Sequence, residues 1–137
     1  MSEIDLLRGR LRRREREYDD CRERISDCRK KLERLKPAKK RISELKSDFR
    51  TIQTREKNYL NRSRDWTGQT EREFRRLAQD VVDENKSYLN NSLDYALDAI
   101  NDEITRLQNK IMEENGLLGK LGALINSLRN EIEKLLN

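Results

Sequence analysis

Apolar residues in the first half of the chain recur at alternating steps of three and four. They run Ile4, Leu7, Leu11, Tyr18, Cys21, Ile25, Cys28, Leu32 and Leu35, with only Arg14 out of pattern. Such a heptad stripe marks a helix that buries one narrow face along another helix. The stripe continues through Ala38, Ile42, Leu45, Phe49, Ile52, Tyr59 and Trp66, with Glu56 and Ser63 at polar gaps. Two successive steps of three, Leu32 to Leu35 and Leu35 to Ala38, shift the register by a stammer. Pro37 falls inside it and predicts a kinked but continuous helix, with a full break as the alternative.

The second half repeats the pattern. Phe74, Leu77, Val81 and Tyr88 are followed by Leu93, Leu97, Ile100, Ile104, Leu107 and Ile111, with a blurred register around residues 85–92. Asn115-Gly116 reads as a helix stop, because that pair takes the left-handed cap readily. Beyond it a wider apolar face opens, carrying Leu117, Leu118, Leu121, Leu124, Ile125, Leu128, Ile132 and Leu135. Gly116, Gly119 and Gly122 within this stretch each cost about 1 kcal/mol of helix stability against alanine, and let another backbone approach.

Between the two halves lies Arg64-Asp65-Trp66-Thr67-Gly68-Gln69-Thr70. Gly68 can take a positive φ at little cost. Thr70 and Glu73 have the spacing of a capping box, and Trp66 is the largest apolar anchor available to staple a reversal. The expected fold is all-α: one long, coiled-coil-like antiparallel two-helix hairpin domain over 1–137. Helix one spans about 3–64, the turn about 65–69 and helix two about 70–136, with a break near Asn115-Gly116.

Composition agrees with that reading. Charged residues make up 42% of the chain and apolar residues 34%, and one proline and five glycines leave few turns. This fits long helices better than a compact globule. The net charge of +5 hides a split: +10 over residues 1–64 against −5 over 65–137. An antiparallel pairing lays the basic half along the acidic half, which sets orientation more than stability. Folding about Thr67 also brings 117–136 alongside the first 17 residues, where only Ile4, Leu7 and Leu11 can meet it. The C-terminal apolar face then exceeds what its own hairpin can cover, and such a patch points to a partner. Without that partner, self-association is expected.

Chemistry is sparse. There is no histidine, so the commonest proton shuttle and metal ligand is absent. Cys21 and Cys28 share a helical face about 10 Å apart along the axis, too far for a disulfide. They suit small seam residues in a reducing compartment, with an intermolecular link as the alternative. Gly116, Gly119 and Gly122 do not follow the phosphate-loop order. No catalytic residue, metal site or cofactor is expected, and the chain does not read as an enzyme. The run Arg8, Arg10, Arg12, Arg13, Arg14 and Arg16 could bind phosphates in a salt-sensitive manner. Leu11 in the stripe and the acidic residues that follow argue instead for a solvated face. No apolar run reaches the roughly 18 residues of a membrane span, and the N-terminus lacks a signal peptide's apolar core. A cytoplasmic protein, or one co-secreted with its partner, is expected.

Trp66-Thr67-Gly68 between two long helices resembles the ESAT-like WXG superfamily, small hairpins exported by type VII secretion in Gram-positive bacteria. With Phe74, the Leu35-Lys36-Pro37-Ala38-Lys39-Lys40-Arg41-Ile42 stretch, and Ile100, Ile104 and Leu107, the chain looks like the YwqH-like branch. The resemblance implies a non-enzymatic adaptor or chaperone that pairs with the helical N-terminal domain of an LXG toxin, or with another small helical secretion protein. The superfamily's Tyr-x-x-x-Asp/Glu export signal is missing: Ser92 follows Tyr88 and Ala99 follows Tyr95 at that spacing. A subunit that rides with or chaperones a signal-bearing partner is therefore expected. The competing reading is a cytoplasmic coiled-coil scaffold, or a nucleic-acid binder using the basic N-terminal arm.

Overall fold

A computed structural model describes residues 2–62 and 68–137, and among them only helix forms the regular structure. Helix α1 spans Glu3–Arg62 and α2 spans Gln69–Tyr88. A π-helical turn, Leu89–Leu93, joins α2 directly to α3, Asp94–Leu136. The second helix of the expected hairpin is thus α2, the π turn and α3 in unbroken succession. The Trp66 part of the turn motif lies outside the described residues.

Two compact units partition the chain: residues up to Arg34 with Ile104–Asn137, and Leu35–Glu103. In the first, Glu15 meets Arg129 and Arg24 meets Glu114, so the helices run antiparallel. Its core gathers Cys21, Ile25 and Leu121, flanked by Tyr18, Ile111 and Leu118. In the second, Lys46 pairs with Asp94, the Phe49 ring packs against Tyr88 at 5.1 Å, and Tyr59 meets Phe74 edge-on at 5.9 Å. That sequence of contacts is antiparallel as well. The cross-helix pairs Arg24–Glu114 and Lys46–Asp94 follow the expected basic-to-acidic arrangement, whereas Glu15–Arg129 reverses it.

Several local expectations change. Helix α3 runs through Asn115-Gly116 without a stop, and Gly116 does not take a positive φ. The glycine penalty of about 1 kcal/mol is smaller than what burial of a leucine or isoleucine on the helix's inner face returns, and Leu107, Leu121 and Ile125 are all buried there. Helix α1 continues through Pro37, as expected, without the alternative break. Gly68 takes φ 129° and ψ 170° as the N-cap of α2, a region essentially confined to glycine. Its positive φ was legible in the sequence, but it serves the start of α2. Its carbonyl accepts from the Arg72 amide at 3.2 Å. Thr70 therefore sits inside the first turn, and the capping box proposed from Thr70 does not form.

The inner stripe also departs from the expected one. Glu15, not Arg14, is the half-buried residue between Leu11 and Tyr18. In the second unit α1 turns Ile42, Leu45 and Phe49 inward as expected and continues with Gln53 and Glu56, while the opposing helix turns in Ala78, Val82, Asn85 and Leu89. Ile52, Tyr59, Phe74, Leu77, Val81 and Tyr88, all expected in the seam, are exposed. The sequence carries two interleaved three-four stripes here. The one that folds inward is continuous with Leu93 through the π turn. The turn absorbs the extra residue in the successive four-residue steps Asn85, Leu89, Leu93.

Candidate interaction surfaces

Leu121, Ile125 and Ile132 belong to the heptad stripe of α3 that α1 covers, and all three are buried. Leu118 and Leu128 are half-buried. Leu117, Leu124 and Leu135 stand on the surface, joined by Leu136. The C-terminal apolar face therefore divides, its inner part filled from within the unit and its outer part open. A Cβ at position 122 would meet Tyr18 Cε2 at 3.9 Å, an ordinary van der Waals contact, so space alone does not require glycine there. Gly116 and Gly119 face open space.

The basic arm lies along α1, with Arg8, Arg10, Arg12, Arg13, Arg14 and Arg16 all exposed. Arg14 is held by Glu17 at 2.9 Å. Arg10, Arg13 and Arg14 border a groove of about 540 Å³ whose far wall is Leu124, Ser127, Leu128 and Glu131. Acidic side chains are thus interleaved with the arginines, and the exposed leucine Leu124 lies beside them. This is a mixed, partly apolar surface, better suited to a helix than to a phosphate backbone.

One polar constellation was not foreseen. Cys21 Sγ lies 3.1 Å from both the carbonyl oxygen and Oε2 of Glu114. Arg24 grips the same carboxylate with two bonds, Nε to Oε1 at 3.1 Å and Nη2 to Oε2 at 3.0 Å. The Arg24 bonds, then the Cys21 contact, hold the Glu114 carboxyl below its ordinary range. Burial, then Glu114, pushes the Cys21 thiol up, which keeps it protonated and inert. Both cysteines are free and buried, as small seam residues should be. Within this unit the three-four spacing of the two arms would tolerate a slip by one heptad. A charge-bearing clamp at one level opposes it, as single polar positions do in coiled coils. The sequence signal was Glu114 itself, a carboxylate on the apolar stripe between Ile111 and Leu118.

In the second unit, Tyr59, Ala78, Val81 and Val82, with Arg55 and Glu56, line a groove of about 450 Å³. Around it stand the exposed apolar residues of both helices. Among the described residues no cluster of potential metal ligands occurs, and no helix is long and apolar enough to cross a membrane.

The YwqH-like family profile matches residues 9–135. The chain belongs to the YwqH-like family. The match takes in all of the second unit and most of both arms of the first. Comparisons with curated proteins and with solved structures return no match.

Proposed function

We propose that this YwqH-like protein is a non-enzymatic adaptor or chaperone of type VII secretion. It binds the helical N-terminal domain of an LXG-type toxin, or a second small helical protein of the same system. Family membership supplies the context. The observation that carries the reading is the split face of α3. Its inner leucines are used up within the unit, while Leu117, Leu124 and Leu135 remain open, Leu124 lining the groove bordered by Arg10, Arg13 and Arg14. An amphipathic helix laid there would cover those leucines and set acidic residues against the arginines, the usual helix-in-groove arrangement. The wider kinship with ESAT-like WXG hairpins belongs to the same proposal, as does co-secretion from the cytoplasm with a partner that carries the export signal.

Co-expression of the full chain with the products of neighbouring genes tests this. The toxin's N-terminal domain should copurify with the wild-type protein and be lost with Leu124→Glu. Binding to duplex DNA that persists at physiological salt, without any protein partner, would favour the nucleic-acid reading instead.

A further inference from the structure

The seam of the second unit holds less apolar bulk than the face beside it. Asn85 Nδ2 donates to Glu56 Oε1 at 2.8 Å inside the seam, and Glu56 Oε2 is buried with no hydrogen-bond partner among the described residues. Val82 is 4% exposed there, while its neighbour Val81 is 50% and Leu77 59% exposed. Which stripe faces α1 is decided at the π turn, Leu89–Leu93. Counted back from buried Leu93, unbroken three-four steps would bring in Asn90, Lys86, Asp83 and Gln79, all polar and all exposed. One extra residue, absorbed by the π turn, brings in Leu89, Asn85, Val82 and Ala78, the stripe observed. A second extra residue would bring in Tyr88, Glu84, Val81, Leu77 and Phe74. Each such residue turns α2 by about 100° about its own axis.

The last of these registers is the most apolar, and its rings already touch α1 at the edge of the seam, Tyr88 on Phe49 and Phe74 on Tyr59. The groove of about 450 Å³ lined by Tyr59, Val81 and Val82 gives it room to turn in. What opposes it is one charge. Glu84 would replace Asn85 opposite Glu56, exchanging a hydrogen bond for two facing carboxylates. Arg55, beside Glu56 on the groove wall, tempers that repulsion. We propose that α2 is a two-register helix. It turns between the observed seam and one built on Phe74, Leu77, Val81 and Tyr88, with the π turn as its joint and Glu84 as its gate. Turns of this kind inside α-helices are frequent at functional positions. Beyond the joint Leu93 is buried and Lys46 holds Asp94, so the rotation is confined to α2. The first register offers the apolar stripe to solvent, and the second withdraws it against Ile52 and Tyr59 of α1. The device sets whether this unit shows an apolar face, and it does not rest on the adaptor reading.

Thiol labelling of the full chain, read by mass spectrometry, tests the switch, with the buried native Cys28 as a slow reference in the same molecule. Val81→Cys should label as an exposed thiol. Val82→Cys should label more slowly than Val81→Cys, yet about tenfold or more faster than Cys28. Its rate should not rise in low urea, because a rotation exposes little new surface. Added to each cysteine variant, Glu84→Leu removes the gate and should reverse the order. Position 81 then becomes about tenfold slower and position 82 labels as an exposed thiol, with helical circular dichroism unchanged. Deletion of Asn91 removes the one extra residue, so the observed stripe fits an unbroken α-helix. Val82→Cys should there remain the slower of the two, with helicity retained. A Val82→Cys rate equal to that of Cys28 or climbing with urea, an order that Glu84→Leu leaves as it was, or loss of helix on deletion of Asn91 would each overturn the proposal.

Discussion

Leu121 and Leu124 sit three residues apart on the same helix and should differ sharply in what they contribute. Leu121 is 5% exposed and packs with Cys21 and Ile25, whereas Leu124 is 47% exposed. Truncating a buried leucine to alanine costs about 2–5 kcal/mol, the sum of lost transfer energy and the cavity left behind. Two helices cover the seam from one side only and can close partly on a void, so Leu121→Ala should fall near the lower end, about 2–3 kcal/mol. Leu124→Ala, with its side chain already half in water, should stay within about 0.5 kcal/mol. Urea unfolding followed by circular dichroism measures the difference. At a slope of about 2 kcal/mol per molar urea, the Leu121 variant should lose about 1 M in its midpoint while the Leu124 variant barely moves. Equal shifts, or a shift for Leu124 alone, would mean that α3 is rotated from the orientation described. The same contrast explains why only the Leu124 substitution is suited to probing partner binding: Leu121→Glu would place a charge in the core.

Other expectations follow from individual positions. Gly68→Ala should destabilise by about 1–3 kcal/mol, because alanine does not tolerate φ 129° with ψ 170°; a neutral result would place the start of α2 elsewhere. Gly116→Ala should stabilise by about 1 kcal/mol in the same unfolding assay, since the site is helical and a Cβ there meets nothing within 4 Å. Because the Glu114 carboxyl titrates lower folded than unfolded, its contribution is full above the ordinary carboxylate range. It is lost as pH falls through the folded value. Glu114→Gln should flatten that part of the acid limb in stability measured against pH. Cys21 should resist thiol reagents in the native protein and react at the rate of unfolding; fast labelling at neutral pH would contradict its burial.

Much of the fold was legible because two helices in contact leave a periodic trace. The stripe from Tyr18 to Leu35 and that from Ile100 to Ile111 both lie inward. What could not be read was the choice between neighbouring stripes. Phe74, Leu77, Val81 and Tyr88 have the bulk of a core, yet Ala78, Val82, Asn85 and Leu89 fold inward because the π turn carries them into line with Leu93. Periodicity counts apolar residues and is blind to one inserted residue absorbed by a wider turn. Helix stops at glycine fail for a different reason: local propensity at Gly116 yields to burial along the inner face of the same helix, on the side away from the glycine. The candidate partner residues divided because an apolar segment wider than one stripe contains both an inside and an outside. Glu114 went unremarked because a carboxylate in a seam signals a clamp only once its arginine is placed opposite.

Titration calorimetry of the purified full chain with the N-terminal domain of a genetically linked LXG toxin tests the adaptor reading most directly. Saturable binding with a negative heat-capacity change, the mark of apolar burial, is the expected result, weakened by Leu124→Glu. Absence of binding between folded components, or binding indifferent to Leu124→Glu, would contradict it.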